Sequence, residues 1–224
     1  MDRMLTFFGI ERSREDPPPE EAWPLSLAPF IRLAEGEEGG VGERVMETGQ
    51  FGLVPFFKKT ELQFGRRTYN ARSETVATLP SFRGDWGAGR RCIVPAEAIF
   101  EPNYESGKAV RWRISLPGDV PMGIAGVYSS WRDVEGKQHF SFAMLTVNAD
   151  GHPVMGRMHA PSEEKRMVII LEPSDYGRWL SCSVADAPSY FRRWKGPIDA
   201  VSDPLPPRGK RTAPWPPEST GDLF

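Results

Sequence analysis

The sequence has 224 residues, 39% of them hydrophobic and 26% charged, with 28 basic and 30 acidic side chains. That length suits one large domain or two small ones, and that apolar share can build a full core, which excludes wholesale disorder. No apolar run approaches the roughly 18 residues of a membrane span, and the two cysteines, Cys92 and Cys182, form neither a disulfide framework nor a metal-ligand spacing.

These features predict a reduced, cytoplasmic protein with no cofactor, no metal and no membrane contact. The opening stretch MDRMLTFFGIERSRED has too short an apolar patch for a signal peptide, and acidic residues follow it closely. The near-neutral total hides an asymmetry. Residues 1–50 carry a net charge of −6, residues 51–113 carry +5 and the remainder −1. A basic zone inside an acidic protein can bind phosphates; the plain alternative is a mixed surface.

In chain order, residues 2–9 predict a short helix with Met4, Leu5 and Phe8 on one side, followed by the proline-rich acidic connector EDPPPEEAWP. GLVPFF (52–57) reads as a brief strand interrupted by Pro55. In YNARSETVATLPSF (69–82), strand alternation would put Asn70, Arg72 and Glu74 on one face, either a salt-bridged surface or the floor of a site. A short helix is expected over Ser81 to Trp86. RCIVPAEAIFEP (91–102) reads as one longer strand in which Pro95 favours a bulge or an edge. VRWRISL (110–116) alternates cleanly, whereas GIAGVYSSW (123–131) and FSFAMLTVN (140–148) are apolar on both faces and so central. RMVIIL (166–171) is another buried strand, and ESGK and DVEGK look like hairpin turns. A helix with a Ser cap follows Pro173, and another is expected over Asp186 to Trp194. There is no internal repeat. The fold class is α+β: a single domain over residues 1–200, built on a twisted, partly closed, mainly antiparallel sheet with a few short helices. Residues 201–224 form a proline-rich tail expected to lack a fixed fold.

Polar residues interrupt otherwise apolar strands in NARSET (70–75), IFEPNY (99–104), LTVNADG (145–151) and MGRMHAPSEEKRMVIIL (155–171). Glu101 ends an apolar strand, where a carboxylate is costly unless it is paired or its pKa is raised. A salt bridge to Arg72 or Arg113 would satisfy it. His159 precedes a turn and a buried strand, and could equally be a surface residue or a core residue bonded to a backbone carbonyl.

The order of these stretches resembles the SRAP family, the SOS response-associated peptidase domain of abasic-site processing proteins. The residues that carry the resemblance are FGLVPFF, NARSET, RRCIVPAEAIFEP, LTVNAD and HAPSEEKRMVIIL, across about residues 24–180. The pair NARSET and RRCIVPAEAIFEP is its most specific part. The resemblance implies an SRAP-like fold, a role in DNA repair, and single-stranded DNA containing abasic sites as the partner, with nucleoid association when bound. It implies that Asn70 positions the reacting sugar or the cysteine that attacks it, that Glu101 shuttles protons and that His159 protonates or orients the opened deoxyribose. Arg72 would hold a phosphate, Thr146 would contact DNA, and Phe56 and Phe57 would wedge against unstacked bases; simple burial beside Pro55 is the alternative for the two rings.

One departure stands out. Members of the family begin Met-Cys, and removal of the methionine exposes an amine and a thiol on adjacent carbons. The amine condenses with the abasic aldehyde and the thiol closes a thiazolidine, a stable cross-link. Here residue 2 is Asp2. The expectation is that an upstream start restores the cysteine, and that the chain as written forms no stable adduct. Cys92, inside an apolar strand, is expected to be buried. The functional expectation is an abasic-site processing enzyme with cross-linking, lyase and autopeptidase activity. The alternative is a catalytically silent module that shields abasic sites. A hydrolase using Glu101 and His159 is disfavoured, because no nucleophile elbow or metal motif is present.

Overall fold

The computed structural model describes residues 2–10, 19–34, 43–59 and 61–206. Its strands are β1 (Leu27–Leu33), β2 (Arg44–Phe51), β3 (Asn70–Arg72), β4 (Arg91–Ala96), β5 (Ile99–Asn103) and β6 (Val110–Ser115). They continue as β7 (Met122–Arg132), β8 (Gln138–Asn148), β9 (Arg166–Val168), β10 (Ile170–Leu171) and β11 (Asp199–Ser202). Three short helices accompany them: α1 (Asp2–Phe8), α2 (Arg83–Gly87) and α3 (Tyr176–Ser181).

The two longest strands, β7 and β8, form a hairpin. Its turn is held by Asp133, whose Oδ1 accepts the backbone N–H groups of Glu135 and Lys137, each at 2.9 Å. Gly136 supplies the left-handed residue there, at φ 81°. From this hairpin the sheet closes on itself. β7 pairs antiparallel with β4, β4 with β1, β1 with β2, and β2 runs parallel to β8 at Gln50–Ser141 and Phe51–Phe142. The result is a five-stranded ring with β10, β9 and β3 appended. The expected partly closed α+β sheet is therefore present, mainly antiparallel, with β8 the strand that also takes parallel partners.

Period-two alternation divides the apolar residues into two clusters. Ala28, Phe30, Cys92, Val94, Ile124 and Phe142 fill the ring interior, where the Phe30 ring lies tilted 5.5 Å from Phe142. Ile31, Ile93, Ala125, Val127 and Leu145 face outward and are covered by Phe8 of α1, Trp86 of α2 and Trp179 of α3. Trp179 is wholly buried, and its indole N–H donates to the Cys92 carbonyl at 2.8 Å. A ring this narrow leaves no room at Gly126. A Cβ there would come within 2.8 Å of both the Ala143 carbonyl oxygen and the Cys92 sulfur.

β5, β6 and β11 form a separate three-stranded antiparallel sheet. Several expectations are corrected by this layout. RCIVPAEAIFEP is two strands in two sheets, β4 and β5, because the chain turns after Ala96. Pro95 is not at an edge of β4 toward β7, where it pairs with Gly123; its missing N–H is tolerated because β1 meets β4 only at Ile31–Ile93. RMVIIL is likewise split: Ile169 bonds β7 and β8 through its own backbone, donating to Leu145 and accepting from Ala125. GLVPFF is no strand. Leu53 and Val54 are buried loop, and Phe56–Lys58 is a single 3-10 turn. The residue capping α3 is Asp175, not a serine, and it makes no side-chain cap bond. The helix expected over Asp186 to Trp194 is only the 3-10 turn Ala187–Tyr190. The first residues of the expected tail belong to β11, which pairs with β6 through Ser202 and Trp112; residues 207–224 lie outside the described residues.

Replacing Gly126 with Ala overfills the ring. The expected loss is about 1–3 kcal/mol, read as a lower urea midpoint with an unchanged slope.

Candidate active site

The site is built where the second sheet meets the end of the ring. Directly paired residues in an antiparallel ladder point to the same side. Glu101 therefore shares a face with Ile99 and Asn103 on β5, and with Ile114, Trp112 and Val110 on β6. That face packs inward: Ile114 and Asn103 are buried, and Ile99 and Trp112 rest on the core. The Glu101 side chain is only 19% exposed. Desolvation pushes its carboxyl up to about 8. Neither candidate arginine relieves it. Arg113 bonds Asp119 at 3.0 Å and Ser115 at 2.9 Å, and Arg72 pairs with Glu164 at 2.5 Å.

His159 reaches Glu101 from the other sheet. After β8 the chain makes the 3-10 turn Met155–Arg157, and Met158, fully buried, bridges to Asn103. The Asn103 amide donates to the Arg157 carbonyl at 3.2 Å, and the His159 N–H donates to the Pro102 carbonyl at 2.6 Å. His159 then adopts φ 63°, left-handed backbone for a residue with a Cβ. Such a residue costs about 1–3 kcal/mol and persists only where its surroundings hold it. Lys165 does the holding: its ammonium donates to the carbonyls of His159 and Ala160 at 3.0 and 2.9 Å.

This turn brings His159 Nε2 to 3.6 Å from Glu101 Oε2 and 3.4 Å from the Arg166 carbonyl. A carbonyl only accepts, so this contact favours the tautomer with the proton on Nε2. Burial lowers the His159 pKa. Near pH 7 the pair is a neutral carboxylic acid beside a neutral imidazole. Their separation exceeds a good hydrogen bond and is short enough for both to serve one water or one substrate atom.

The Asn70–Arg72 strand lies on the far side of β8. β3 runs parallel to β8, with Asn70 opposite Met144 and Arg72 opposite Thr146. Ala71 is buried between the exposed Asn70 and Arg72, so those two share one side as expected. Glu74 does not continue the strand; it sits in the following turn. Among the described residues no side-chain bond joins the Asn70 amide to the Glu101–His159 pair. Thr146 is 5% exposed, and its hydroxyl accepts from Arg166 at 3.1 Å. That placement suits support rather than an open DNA contact. Phe56 and Phe57 are 71% and 59% exposed, so burial beside Pro55 does not account for them.

Sequence reasoning missed the residue that joins these parts. Arg166 donates twice to Glu74, at 2.9 Å each, once to Glu164 at 2.8 Å and once to the Thr146 carbonyl at 2.8 Å, while its own carbonyl faces His159. Glu74 is held down to about 2, chiefly by this guanidinium. In the sequence, MGRMHAPSEEKRMVIIL is marked only by polar residues interrupting an apolar strand, which does not separate Arg166 from any solvated charge. Both cysteines stand apart. Cys92 is fully buried with its thiol pushed well up by desolvation, and Cys182 follows α3. An apolar cavity of about 340 Å³ lies elsewhere, between Phe7, Val120, Tyr176 and Trp194, and none of the candidate residues lines it. Among the described residues no group of three or more His, Cys, Asp or Glu could hold a metal, and no helix is long and apolar enough to cross a membrane.

Comparison with known proteins agrees on one family. The family model described as SOS response associated peptidase (SRAP) matches residues 7–200. The abasic site processing protein YobE of Bacillus subtilis (strain 168) is 31% identical over 152 residues, which is 67% of this chain and 65% of YobE. The abasic site processing protein HMCES of Rattus norvegicus is 25% identical over 165 residues, 56% of this chain and 44% of its own. The chain thus matches less than two thirds of the length of these relatives. A crystal structure of a Bordetella bronchiseptica protein shares the fold at a TM-score of 0.79 and 36% identity, over 91% of this chain and 95% of that one.

The raised Glu101 pKa has a measurable consequence. Between about 4.5 and 8 the unfolded chain releases the Glu101 proton while the folded protein keeps it. Stability from this group is therefore fully present below pH 4.5 and falls as pH rises through that window, by up to about 1.4 kcal/mol per unit. The lowered His159 pKa acts in the opposite sense at acid pH and is common to both proteins compared. Glu101→Gln should gain on wild type as pH rises from 5 to 8 in urea unfolding. Parallel pH profiles would show that Glu101 ionises normally.

Proposed function

Because the chain belongs to the SRAP family, we propose that it processes abasic sites in DNA, with the Glu101–His159 pair moving the protons. The observation that carries this reading is the 3.6 Å approach of His159, in the connection between β8 and β9, to the Glu101 side chain, whose burial pushes its carboxyl up to about 8. A ring-opened abasic site presents an aldehyde at C1′. An amine that attacks it forms a carbinolamine, and loss of its hydroxyl as water needs an acid at that oxygen. Glu101, still protonated near neutral pH, suits that step. The resulting carboxylate is then a base able to take a C2′ proton, which expels the 3′ phosphate by β-elimination. His159, neutral with its proton on Nε2, suits protonation or orientation of the opened sugar oxygen.

The other expected roles follow from position. Arg72, exposed on β3 in the basic middle of the sequence, would hold a phosphate. Asn70 on the same side would orient the sugar. Phe56 and Phe57, exposed on a turn that also carries Lys58 and Lys59, would stack on bases flanking the gap. This combination favours single strands, whose bases are free to stack. A stable cross-link requires an amine and a thiol on adjacent carbons. Neither Cys92 nor Cys182 supplies that pair, so any amine of these 224 residues that reaches the aldehyde should form a reversible imine.

The test uses a single-stranded oligonucleotide with one abasic site, incubated with the 224-residue chain. An adduct should appear in denaturing electrophoresis when borohydride is present and be scarce without it. Glu101→Gln should slow trapping and strand cleavage by about 10²-fold or more while binding persists. Binding should weaken as salt rises, because phosphate contacts release counterions, and Arg72→Ala should remove much of it. Binding without any trapped adduct would identify a silent shielding module. Salt-independent or absent binding would overturn the reading.

A further inference from the structure

Arg72 is already occupied. Its Nη1 lies 2.5 Å from Glu164 Oε2, while the second oxygen of the same carboxylate takes Arg166 Nη1 at 2.8 Å. One carboxylate thus spans two guanidinium groups, an oxygen to each, as a phosphodiester with two free oxygens would. The pair joins residues 92 positions apart, and no strand pairing requires it. Its two ends differ in character. Arg166 is 12% exposed and anchored independently by Glu74 and the Thr146 carbonyl. The Arg72 side chain is 55% exposed, and Glu164 is its one ion-pair partner among the described residues. Arg166, then Asn148 and Arg72, hold the Glu164 carboxyl below its ordinary value, so it stays charged at neutral pH.

We propose that Glu164 sets the affinity of this protein for nucleic acid by competing with a backbone phosphate for Arg72. In the free protein Glu164 neutralises Arg72. A bound strand must displace that carboxylate, so breaking the ion pair offsets part of what the phosphate contributes. Arg166 keeps Glu164 close by after displacement, since its own anchors do not depend on Arg72. The carboxylate would therefore return as soon as the phosphate leaves. This inference rests on the proposal that Arg72 holds a phosphate.

The test measures fluorescence anisotropy of a labelled single-stranded oligonucleotide carrying a tetrahydrofuran abasic analogue, which binds without reacting. Glu164→Gln keeps the hydrogen-bonding shape and removes the charge. Glu164→Asp keeps the charge and shortens the reach. Each should bind about two- to fivefold tighter than wild type at low salt, the range of an exposed ion pair, with thermal unfolding unchanged. In an Arg72→Ala background neither substitution should tighten binding. Tightening of equal size with and without Arg72, or seen with Gln and not with Asp, would mean general electrostatics and overturn the proposal. No tightening in either variant, while Arg72→Ala still weakens binding, would overturn it and leave the phosphate role of Arg72 standing. If Arg72→Ala binds like wild type, the role of Arg72 itself fails.

Discussion

Everything in this protein hangs on β8 making hydrogen bonds along both of its edges. Its first half lies between β7 and β2, and its second half between β9 and β3. The first arrangement closes the ring. The second carries the strand that presents Asn70 and Arg72 and the strand that holds Arg166. A strand gripped on both edges along its middle resists slipping, because a shift of one residue would turn Phe142 out of the ring and Ala143 into it. Thr146 marks the junction: it is opposite Arg72 on one side and Val168 on the other. Two pieces of chain remote in sequence are brought to one place by a single strand.

Around that strand the polar groups fall into two regimes. At Arg166 the charges balance and are nearly all bonded: two carboxylates and two guanidinium groups close on one another. A few residues away, Glu101 has apolar neighbours and no cation, and its carboxyl keeps its proton. The two regimes meet at His159, whose ring faces the Arg166 carbonyl on one side and Glu101 on the other. A buried carboxyl keeps a raised pKa only while fixed opposite charge is kept away from it. The arginines, by being engaged with Glu74, Glu164 and Asp119, leave Glu101 alone.

The sequence made some of this legible and hid the rest for physical reasons. Strands with a single periodicity were readable: VRWRISL alternates because one face is buried, and GIAGVYSSW and FSFAMLTVN are apolar throughout because both faces are. RCIVPAEAIFEP was not, since an apolar run does not say where the chain leaves one sheet for another. Partial closure was expected, but the strands that make it were not identifiable, because β2 and β8 meet in parallel through only two residue pairs, far apart in sequence. Glu101 and His159 could be singled out as polar residues in costly surroundings, and the structure sets them side by side. Arg166 and Glu164 could not, because a charged run looks the same whether it is solvated or internally paired. Phe56 and Phe57 defied burial, the simplest expectation for phenylalanine.

The acid and the imidazole are carried by different sheets. Glu101 belongs to the three-stranded β5–β6–β11 layer, and His159 to the connection between β8 and β9 of the ring. The isolated bridge Asn103 to Met158, the bonds from His159 to Pro102 and from Asn103 to Arg157, and the Arg157–Glu105 ion pair span the seam. The distance between the two groups is therefore a mechanical coordinate of the whole molecule. The 3.6 Å spacing of the pair is thus set at a joint between two sheets and not within either one.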